Sequence, residues 1–370
     1  MLIARSVHPL PGEAERKERL LALVDRFSSR RVLVVGDLIA DEFIYGEAAR
    51  VSREAPVLIL KYRTTEMVGG GAGNAANNVA ALGGRARLVG LVGADPEGRR
   101  LLASFHRGVD RAHVVRARGY GTPVKTRILA GGVHAARQQV VRIDREAGWP
   151  LDRSVSAALA KKIEPVLDAC DAVLLSDYGA GLVTPELAGV IRRAVARRTR
   201  RRPIPVLIDS RYRLLDYRGL TACTPNESEV EQVLGVTIDD DAEALERAGR
   251  LLLRRTAMPA VLITRGSRGM ALFQPKQPTV HIPIFGSDEV ADVTGAGDTV
   301  IAAFGLALAA GASFYEAARL ANYAGGLVVM KRGTATVSAQ ELSDAVTRDH
   351  DTSLENWSQE GPPQGRRSLI

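Results

Sequence analysis

The feature that most constrains the fold is a regular alternation of short apolar runs with segments of helical composition. Most runs are rich in valine, leucine and isoleucine and end in a polar residue or a glycine. They are RVLVVGD (31–37), RARLVGLVG (85–93), DAVLLSD (171–177), IPVLIDS (204–210), GLTACTPN (219–226) and PAVLITRG (259–266). Such runs are typical of strands that are buried on both faces. The alternation therefore predicts an α/β protein with a doubly wound, mostly parallel sheet and helices on both faces.

The polar residues that end these runs predict where a ligand binds. Ligands of open α/β sheets bind beyond the carboxyl ends of the parallel strands. We therefore expect one crevice, lined by Asp37, Asp177, Asp209, Asn226 and Thr264.

Two segments interrupt the alternation. Residues 42–66 and 110–145 carry β-branched runs with no helix between them, which predicts a small β-sheet lid over the crevice. We expect an N-terminal helical extension (1–30), a main domain (31–348) that carries this lid, and a polar tail (349–370) whose composition predicts disorder.

Composition narrows the classes of protein to consider. The chain is 46% hydrophobic and 25% charged, and it has neither a signal-peptide pattern nor an apolar stretch of membrane-spanning length. Its two cysteines form no CxxC pair and its six histidines form no metal-binding pattern, so a cytoplasmic protein without disulfides is expected. The net charge of +8 raises the possibility of a nucleic-acid partner. No nucleic-acid motif accompanies that charge, which also suits an enzyme with phosphorylated substrates.

Two glycine-rich clusters each precede a helical segment. They are VGGGAGNAANNVAALGG (68–84) and DVTGAGDTV (292–300). A glycine-rich turn at the N-terminus of a helix aims backbone N–H groups at one point, which favours a bound anion. Asp298 then has two interpretations: an acid that stabilises the first helical turn, or a base beside a phosphate site. The chain lacks both GxxxxGK[ST] and a GxGxxG after a predicted strand.

Together with TPNESE (224–229) and ITRGSRG (263–269), these clusters resemble the ribokinase-like (PfkB) family of carbohydrate kinases. The resemblance covers about residues 30 to 345. Within the family, VVGDLIADEFIYG, RVSREAPV, LLSDYGAG and KRGTATVS are most similar to D-glycero-β-D-manno-heptose 7-phosphate kinases. The resemblance implies ATP-dependent phosphorylation of the anomeric hydroxyl, giving the 1,7-bisphosphate. Because no HxGH motif is present, a single-function kinase is expected.

The resemblance also implies roles for individual residues around the acceptor sugar. Asp298 would be the catalytic base, and the N–H groups of Gly295, Ala296 and Gly297 would form the anion hole. The residues implied to hold the sugar are Asp41, Gly70, Gly71, Asn74 and Asp177. The cations available for a distal phosphate are Lys125, Arg127, Arg137 and Arg142, with Arg50 and Arg53 in the first lid segment.

For the nucleotide and metals, the resemblance implies a second set. Asn226 and Glu229 would hold Mg²⁺ partly through water; the alternative is a helix N-cap with a surface acid. Asp292 and Thr294 would lie by a monovalent cation such as K⁺, or only form a turn. The residues implied to border ATP are Thr264, Gly266, Asn322, Lys331 and Gly333, with Asn226 and Glu229 near its phosphates. A homodimer formed through the lid is expected as in relatives.

Two positions differ from close relatives. Ala180 stands where they have a lysine in DYxKG, and Arg211 follows Asp209-Ser210 where they read DPK. Two alternatives therefore stay open: a kinase of another sugar or of a nucleoside, and a catalytically silent ligand-binding relative. The intact Asp298, anion-hole glycines and NxxE motif argue against the silent relative.

Overall fold

The computed structural model describes residues 13–131, 138–147, 159, 161–163, 165–197, 203–286, 293–331 and 334–349. In chain order its strands are β1 (Arg31–Gly36), β2 (Leu38–Val51), β3 (Leu58–Gly71), β4 (Arg85–Val89), β5 (Leu91–Gly93), β6 (Val109–Asp110), β7 (Val115–Ala117), β8 (Val124–Ala130), β9 (Gln138–Arg145), β10 (Ala172–Asp177), β11 (Val206–Ser210), β12 (Ala222–Cys223), β13 (Ala260–Thr264), β14 (Met270–Phe273) and β15 (Val280–Ile282). Nine of these strands form a central sheet in the order β15-β14-β13-β12-β11-β10-β1-β4-β6. All its neighbours are parallel except the β13–β14 and β14–β15 pairs. The predicted doubly wound, mostly parallel sheet is therefore confirmed.

Eight of the nine described helices begin at a side-chain cap or a glycine turn. The nine are α1 (Glu13–Asp25), α2 (Ala72–Ala81), α3 (Pro96–Ser104), α4 (Pro185–Ala196), α5 (Glu227–Leu234), α6 (Ala242–Thr256), α7 (Ala296–Ala310), α8 (Phe314–Val329) and α9 (Ala339–Arg348). Reciprocal capping boxes start α5, α8 and α9, and a side-chain N-cap starts α3, α4 and α6. Helices α2 and α7 instead follow Gly71 and Gly295, and no side chain caps either one. Their first turns therefore keep backbone N–H groups that no side chain satisfies.

The central sheet separates two apolar cores, because successive residues of a buried strand point to opposite faces. In β1, Val32 and Val34 pack in one core, whereas Leu33 and Val35 pack in the other. The first core lies against α1, α2, α3, α7, α8 and α9. The second lies against α4, α5, α6 and helical residues at 159, 161–163 and 165–167. Helix α7 is apolar on all sides and is buried over most of its length, so its N-terminus is fixed rigidly against the sheet.

A second sheet has the order β3-β2-β8-β9 and forms the lid. Strands β2 and β3 make a long antiparallel hairpin, and β8 pairs with β2 in parallel. On one face, the register aligns Asp41 with Lys125 and places Arg127 opposite Arg142. Ile44, Ile128 and Val141 align across the same three strands on the opposite face. The cleft-side face of the lid therefore carries charges, and the opposite face carries an apolar row beside the paired Glu42, Thr126 and Arg145.

The structure bounds the lid differently from the sequence prediction. The predicted segment 110–145 contributes only β8 and β9, because β6 joins the edge of the central sheet beside β4 and β7 pairs with β5. Val109, in β6, is 5% exposed, so this pairing is secured by the first core. Among the described residues, none of the helices combines the length and apolar composition needed to cross a bilayer.

Candidate active site

The N-terminus of α7 lies beside the carboxyl end of β11. Gly295 adopts a left-handed backbone (φ +78°), which favours glycine, and a Cβ there would collide with the Asn74 amide. Gly297 has open space in front of it, with Asp209 Oδ2 3.8 Å from where its Cβ would be. The Ala296 N–H donates to Val293 O at 3.2 Å, so it is directed at the preceding loop. The glycines thus leave room for a ligand to approach the positive end of the helix.

Asp298 is 2% exposed in the first turn of α7 and is held by two donors. The Asn74 amide donates to its Oδ2 at 2.9 Å, and the Tyr178 hydroxyl donates to its Oδ1 at 3.1 Å. Burial raises the pKa of Asp298 to about 7, although both hydrogen bonds act in the opposite direction. Each oxygen keeps a lone pair, so near neutral pH this carboxylate can accept a proton.

Asp298 opens into a cleft under the charged face of the lid. Its lining residues are Ile39, Asp41, Gly71, Lys125, Arg127, Arg142, Tyr178, Arg211, Thr294, Gly295, Asp298 and Thr334. Gly70 lies directly beneath Asp41, where a Cβ would collide with the carboxylate. Of the residues that the sequence assigned to the sugar and its phosphate, the structure thus gathers Asp41, Gly70, Gly71, Asn74, Lys125, Arg127 and Arg142 with Asp298.

The four cations of the cleft differ in their partners. Arg127 is paired with Asp41, and Arg142 makes a bidentate pair with Asp144 at 2.6 and 2.8 Å. In the part of the chain that the structure describes, Lys125 and Arg211 make no ion pair. Burial lowers the pKa of Lys125, whose Nζ is 5.5 Å from the centre of the Tyr178 ring. The cleft therefore has cationic charge available for an anionic ligand.

A cluster of carboxyl groups adjoins the cleft at the ends of β11 and β12. Burial, together with the charges of Glu229 and Asp298, raises the pKa of Asp209 well above its ordinary value. Burial also raises the pKa of Glu229. Asn226 and Glu229 form the capping box of α5, with each side chain accepting from the other's backbone N–H at 2.9 Å. In the structure, Asn226 and Glu229 therefore act as a helix cap, as one of the two interpretations of the sequence predicts.

The capping box uses Glu229 Oε2 and leaves Glu229 Oε1 outside the cap. Carboxylate and amide oxygens are suitable ligands for Mg²⁺, which usually keeps several waters and binds one or two carboxylates plus substrate phosphates. Across the described ranges, no group of three or more His, Cys, Asp or Glu is arranged to hold a metal directly. The donor set thus fits a Mg²⁺ ion that is held partly through water and phosphate.

Of the residues that the sequence assigned to ATP, one lies beside the carboxyl cluster, one faces open space, and two make contacts within the protein. Thr264 ends β13 and bridges to Asn226, so it lies beside the carboxyl cluster. A Cβ on Gly266 would meet no atom within 4 Å, so this turn faces open space. By contrast, the Asn322 amide donates to Pro283 O at 2.8 Å, and the Lys331 ammonium binds Thr336 O and Glu341 Oε1 at 2.7 and 2.6 Å. In this conformation Asn322 and Lys331 hold neighbouring backbone and helix α9.

Asp37 and Asp177, two acids of the predicted crevice, accept hydrogen bonds from neighbouring groups of the protein and do not line the cleft. Asp177 is 3% exposed and accepts hydrogen bonds from Gly179 N–H, Ser210 and Tyr217. Asp37 accepts from three backbone N–H groups of the loop after β10, and burial raises its pKa to about 6. Both hold the loop that carries Tyr178, and Asp177 is thus a support of the site, unlike the sugar contact that the sequence suggested.

Some predicted positions lie elsewhere. Arg50 and Arg53 are exposed at the far end of the β2–β3 hairpin and do not line the cleft. Arg137, Asp292 and Gly333 lie outside the described residues, so a monovalent cation at Asp292 and Thr294 stays a prediction.

Four residues at the cleft were not assigned a role from the sequence: Ile39, Tyr178, Arg211 and Thr334. Tyr178 lies in the DYGAG stretch, where a tyrosine after a strand-ending aspartate is the only signal of a hydroxyl near the base. Thr334 lines the cleft, and its buried Oγ1 has no hydrogen-bond partner. No sequence pattern distinguishes this threonine from a structural one.

The fold and the cleft define a class of protein: a ribokinase-like α/β protein whose ligand cleft lies between a buried helix N-terminus and a β-sheet lid. The chain belongs to the pfkB family of carbohydrate kinases, since the model of the "pfkB family carbohydrate kinase" matches residues 29–341. It is accordingly a carbohydrate kinase of an ATP-dependent family.

Curated relatives and solved structures agree with this membership. The chain is 43% identical to the bifunctional protein HldE of Geobacter metallireducens over 87% of its length, and 42% identical to that of Geobacter sulfurreducens over 86%. It spans 64% and 63% of those two relatives. A structure of Arabidopsis thaliana ribokinase with ribose and ATP matches 86% of this chain and 99% of its own (TM-score 0.66, 20% identity). Escherichia coli phosphofructokinase-2 with fructose-6-phosphate matches 86% and 98% (TM-score 0.68, 17% identity).

Proposed function

We propose that this chain transfers the γ-phosphoryl group of ATP to the anomeric hydroxyl of D-glycero-β-D-manno-heptose 7-phosphate. The observation that carries the proposal is the composition of the cleft. Lys125 and Arg211, which make no ion pair within the described residues, line the same cleft as the carboxylate of Asp298. The similarity to proteins named HldE and the heptose-kinase-like motifs support the choice of sugar.

In the proposed reaction, Asp298 accepts the proton of the attacking hydroxyl. The hydroxyl oxygen forms a bond to the γ-phosphorus while the bond between that phosphorus and the β–γ bridging oxygen breaks. ADP leaves with the electron pair of the broken bond. The N-terminus of α7, opened by Gly295 and Gly297, stabilises the negative charge on the transferring group. Asn74 and Tyr178 hold the carboxylate in place throughout.

Metal and nucleotide would be held beside this centre. Mg²⁺ would be bound near Asn226, Glu229 and Asp209, where it would neutralise phosphate charge and the uncompensated charge of the buried carboxyl groups. ATP would lie across the open turn at Gly266 and past Thr264. In this arrangement the phosphates of ATP would lie between Asn226 and Glu229 on one side and the N-terminus of α7 on the other.

The acceptor's own phosphate would bind at the charged face of the lid. Arg142 and Lys125 lie there on neighbouring strands, and Arg211 faces them from the end of β11. A cation that is partly removed from water binds a phosphate with a charge-assisted hydrogen bond worth about 1.5–3 kcal/mol. Two such contacts would favour a phosphorylated acceptor by roughly two to four orders of magnitude in kcat/KM.

The test compares heptose 7-phosphate, free heptose, ribose and fructose 6-phosphate as acceptors, with ADP release measured at saturating MgATP. We expect heptose 7-phosphate to exceed the unphosphorylated sugars by at least two orders of magnitude in kcat/KM. K125Q should raise the KM for the sugar phosphate with little change in the KM for ATP. The matched control is K61Q, an exposed lysine of the same lid outside the cleft. Equal turnover of ribose or a nucleoside would refute the heptose assignment.

We also propose that the enzyme is a homodimer joined through the outer face of the lid. Ile44, Ile128 and Val141 form an apolar row across three strands on the face opposite the cleft cations, and Ile143 extends it. Val141 and Ile143 are 46% and 49% exposed. A second copy would cover this row through a two-fold axis, since the same patch would meet itself. Contiguous exposed apolar surface of this kind is typical of an interaction site.

A further inference from the structure

A chain of buried polar side chains joins α2 to α7 behind the proposed base. The Thr299 hydroxyl donates to Asn78 Oδ1 at 3.0 Å, and Asn78 Nδ2 donates to Asn74 Oδ1 at 3.2 Å. Asn74 Nδ2 then donates to Asp298 Oδ2 at 2.9 Å. Thr299 and Asn78 are 0% exposed and Asn74 is 1% exposed, so water does not compete with these contacts.

Two backbone carbonyls fix the direction of this chain. Asn78 Nδ2 also donates to the carbonyl of Asn74 at 3.0 Å, and a carbonyl only accepts, so the Asn78 amide cannot be reversed without losing that bond. Its Oδ1 must therefore face the Thr299 hydroxyl. Asn74 Nδ2 likewise donates to Gly295 O at 3.3 Å. With its Oδ1 bound to Asn78, Asn74 has only its NH₂ group to offer Asp298.

We propose that Thr299 and Asn78 are positioning residues of the phosphoryl transfer: they hold the Asn74 amide in the orientation that binds both the base and the Gly295 turn. Neither residue lines the cleft. Asn78 acts through Asn74, and Thr299 acts through Asn78 and through its own contact with Gly295 O at 3.3 Å. The inference rests on the proposed role of Asp298 as the base. It adds a reason for Asn78, the third asparagine of the GNAANN stretch (73–78), and for the threonine after Asp298.

The protonation of Asp298 reports on this arrangement. A hydrogen bond to the carboxylate stabilises its ionised form, so a looser Asn74 leaves the ionised form less favoured. The other described charged and titratable groups around Asp298 are Asp41 from β2, Lys125 and Arg127 from β8, Arg142 from β9, Tyr178 and Arg211 from the loops after β10 and β11, and Asp209 from β11. An exchange at Thr299 removes none of them.

The experiment compares T299S, T299A and T299V with the parent enzyme. Serine keeps the hydroxyl and loses the methyl group, alanine loses both, and valine replaces the hydroxyl with a methyl group. Heptose 7-phosphate is the acceptor, or the best acceptor of the panel if that differs. The readouts are kcat between pH 5.5 and 9 at saturating substrates, the KM for ATP, and the thermal midpoint.

We expect T299A and T299V to lower kcat at pH 7 about tenfold, as loss of one buried hydrogen bond to a positioned group implies. The inflection at which kcat rises with pH should shift to higher pH by about half a unit in both variants, with the KM for ATP unchanged. T299S should retain the parent's inflection. If T299V does not fold, the T299S and T299A pair decides the matter.

Two results would overturn the inference: an unchanged inflection and kcat in T299A, or equal losses in T299S and T299A, which would indicate packing alone. D298N, run in parallel, separates this from the base assignment. If D298N retains kcat, the proposed base is wrong; if D298N is inactive and T299A behaves as the parent, only the positioning role is wrong.

Discussion

At the scale of single residues, the site depends on one carboxylate that the fold keeps almost out of water. Asp298 is 2% exposed, and burial outweighs its two hydrogen bonds, so its pKa stands at about 7 and not near 3.8. A base whose pKa is close to the working pH is ionised in a useful fraction of molecules and still accepts a proton readily. Burial of Asp298 therefore suits it to the role of base that we propose.

The first prediction at this scale is a pH dependence. We expect kcat at saturating substrates to rise through an inflection near pH 7, because only ionised Asp298 takes the proton. Saturation matters, since ionisation of the free sugar phosphate then has no effect on the rate. D298N should lower kcat about 10²–10⁴-fold and abolish the inflection. A flat profile in the parent enzyme would contradict the assignment.

Folding provides the control for D298N. A carboxyl whose pKa is higher in the folded than in the unfolded chain binds its proton more tightly when folded. Its contribution to stability is complete below about pH 4 and is lost as the pH rises through 7. Replacing it with asparagine removes that loss, so urea denaturation at pH 8 should find D298N at least as stable as the parent. Lost activity together with lost stability would point to misfolding.

At the scale of elements, the N-terminus of α7 is the part that the sequence predicted best. A run of small residues before an apolar helix requires a tight turn, and local chemistry alone dictates it. The contact of Asn74 with Asp298 joins positions 224 residues apart, so it follows from how α2 packs on α7. The strand ends were predicted as a set, but the roles of Asp37 and Asp177 depend on the path of one loop, which no local pattern encodes.

The two glycines of this turn should respond differently to the same added methyl group. In G295A the new Cβ meets the Asn74 amide and the residue keeps a left-handed backbone, so we expect a loss of about 1–3 kcal/mol in stability together with lost activity. In G297A the helical backbone accepts alanine and the Cβ has room, so stability should be equal or higher. Its kcat should nevertheless fall at least tenfold, because the methyl group occupies the anion site.

Thermal midpoints and kcat for the two variants are the measurements. Each variant serves as the other's control, since both add one methyl group to the same turn. If G297A retained the parent's kcat, the phosphate would not be bound at this helix end. If G295A were as stable as the parent, the close packing of Asn74 against the turn would be wrong.

At the scale of the whole molecule, the central sheet and the lid carry out separate tasks. The sheet and its two cores fix α7, β11 and the loop of Tyr178, which together form the proposed reaction centre. The lid brings Lys125, Arg127 and Arg142 to the cleft, so in the proposed reaction it would select the acceptor. The sequence predicted the lid from β-branched runs without helices between them. It did not show that β6 and β7 pair with β4 and β5 and so lie outside the lid. Those pairings involve two or three residues each and leave no periodic signal.

The last prediction concerns how two molecules meet. If the apolar row of the lid is a two-fold interface, V141K places a lysine on each side of it, and burying those charges without partners is costly. We expect the parent to have about twice the chain mass of 39.7 kDa in light scattering, and V141K to have the mass of one chain. The matched control is V190K, because Val190 is 52% exposed on α4, away from the lid. Since β9 would lose its support from the partner, V141K should also raise the KM for the sugar phosphate more than the KM for ATP. A monomeric parent, or a V141K dimer of unchanged affinity, would exclude the lid as the interface and leave the kinase assignment untouched.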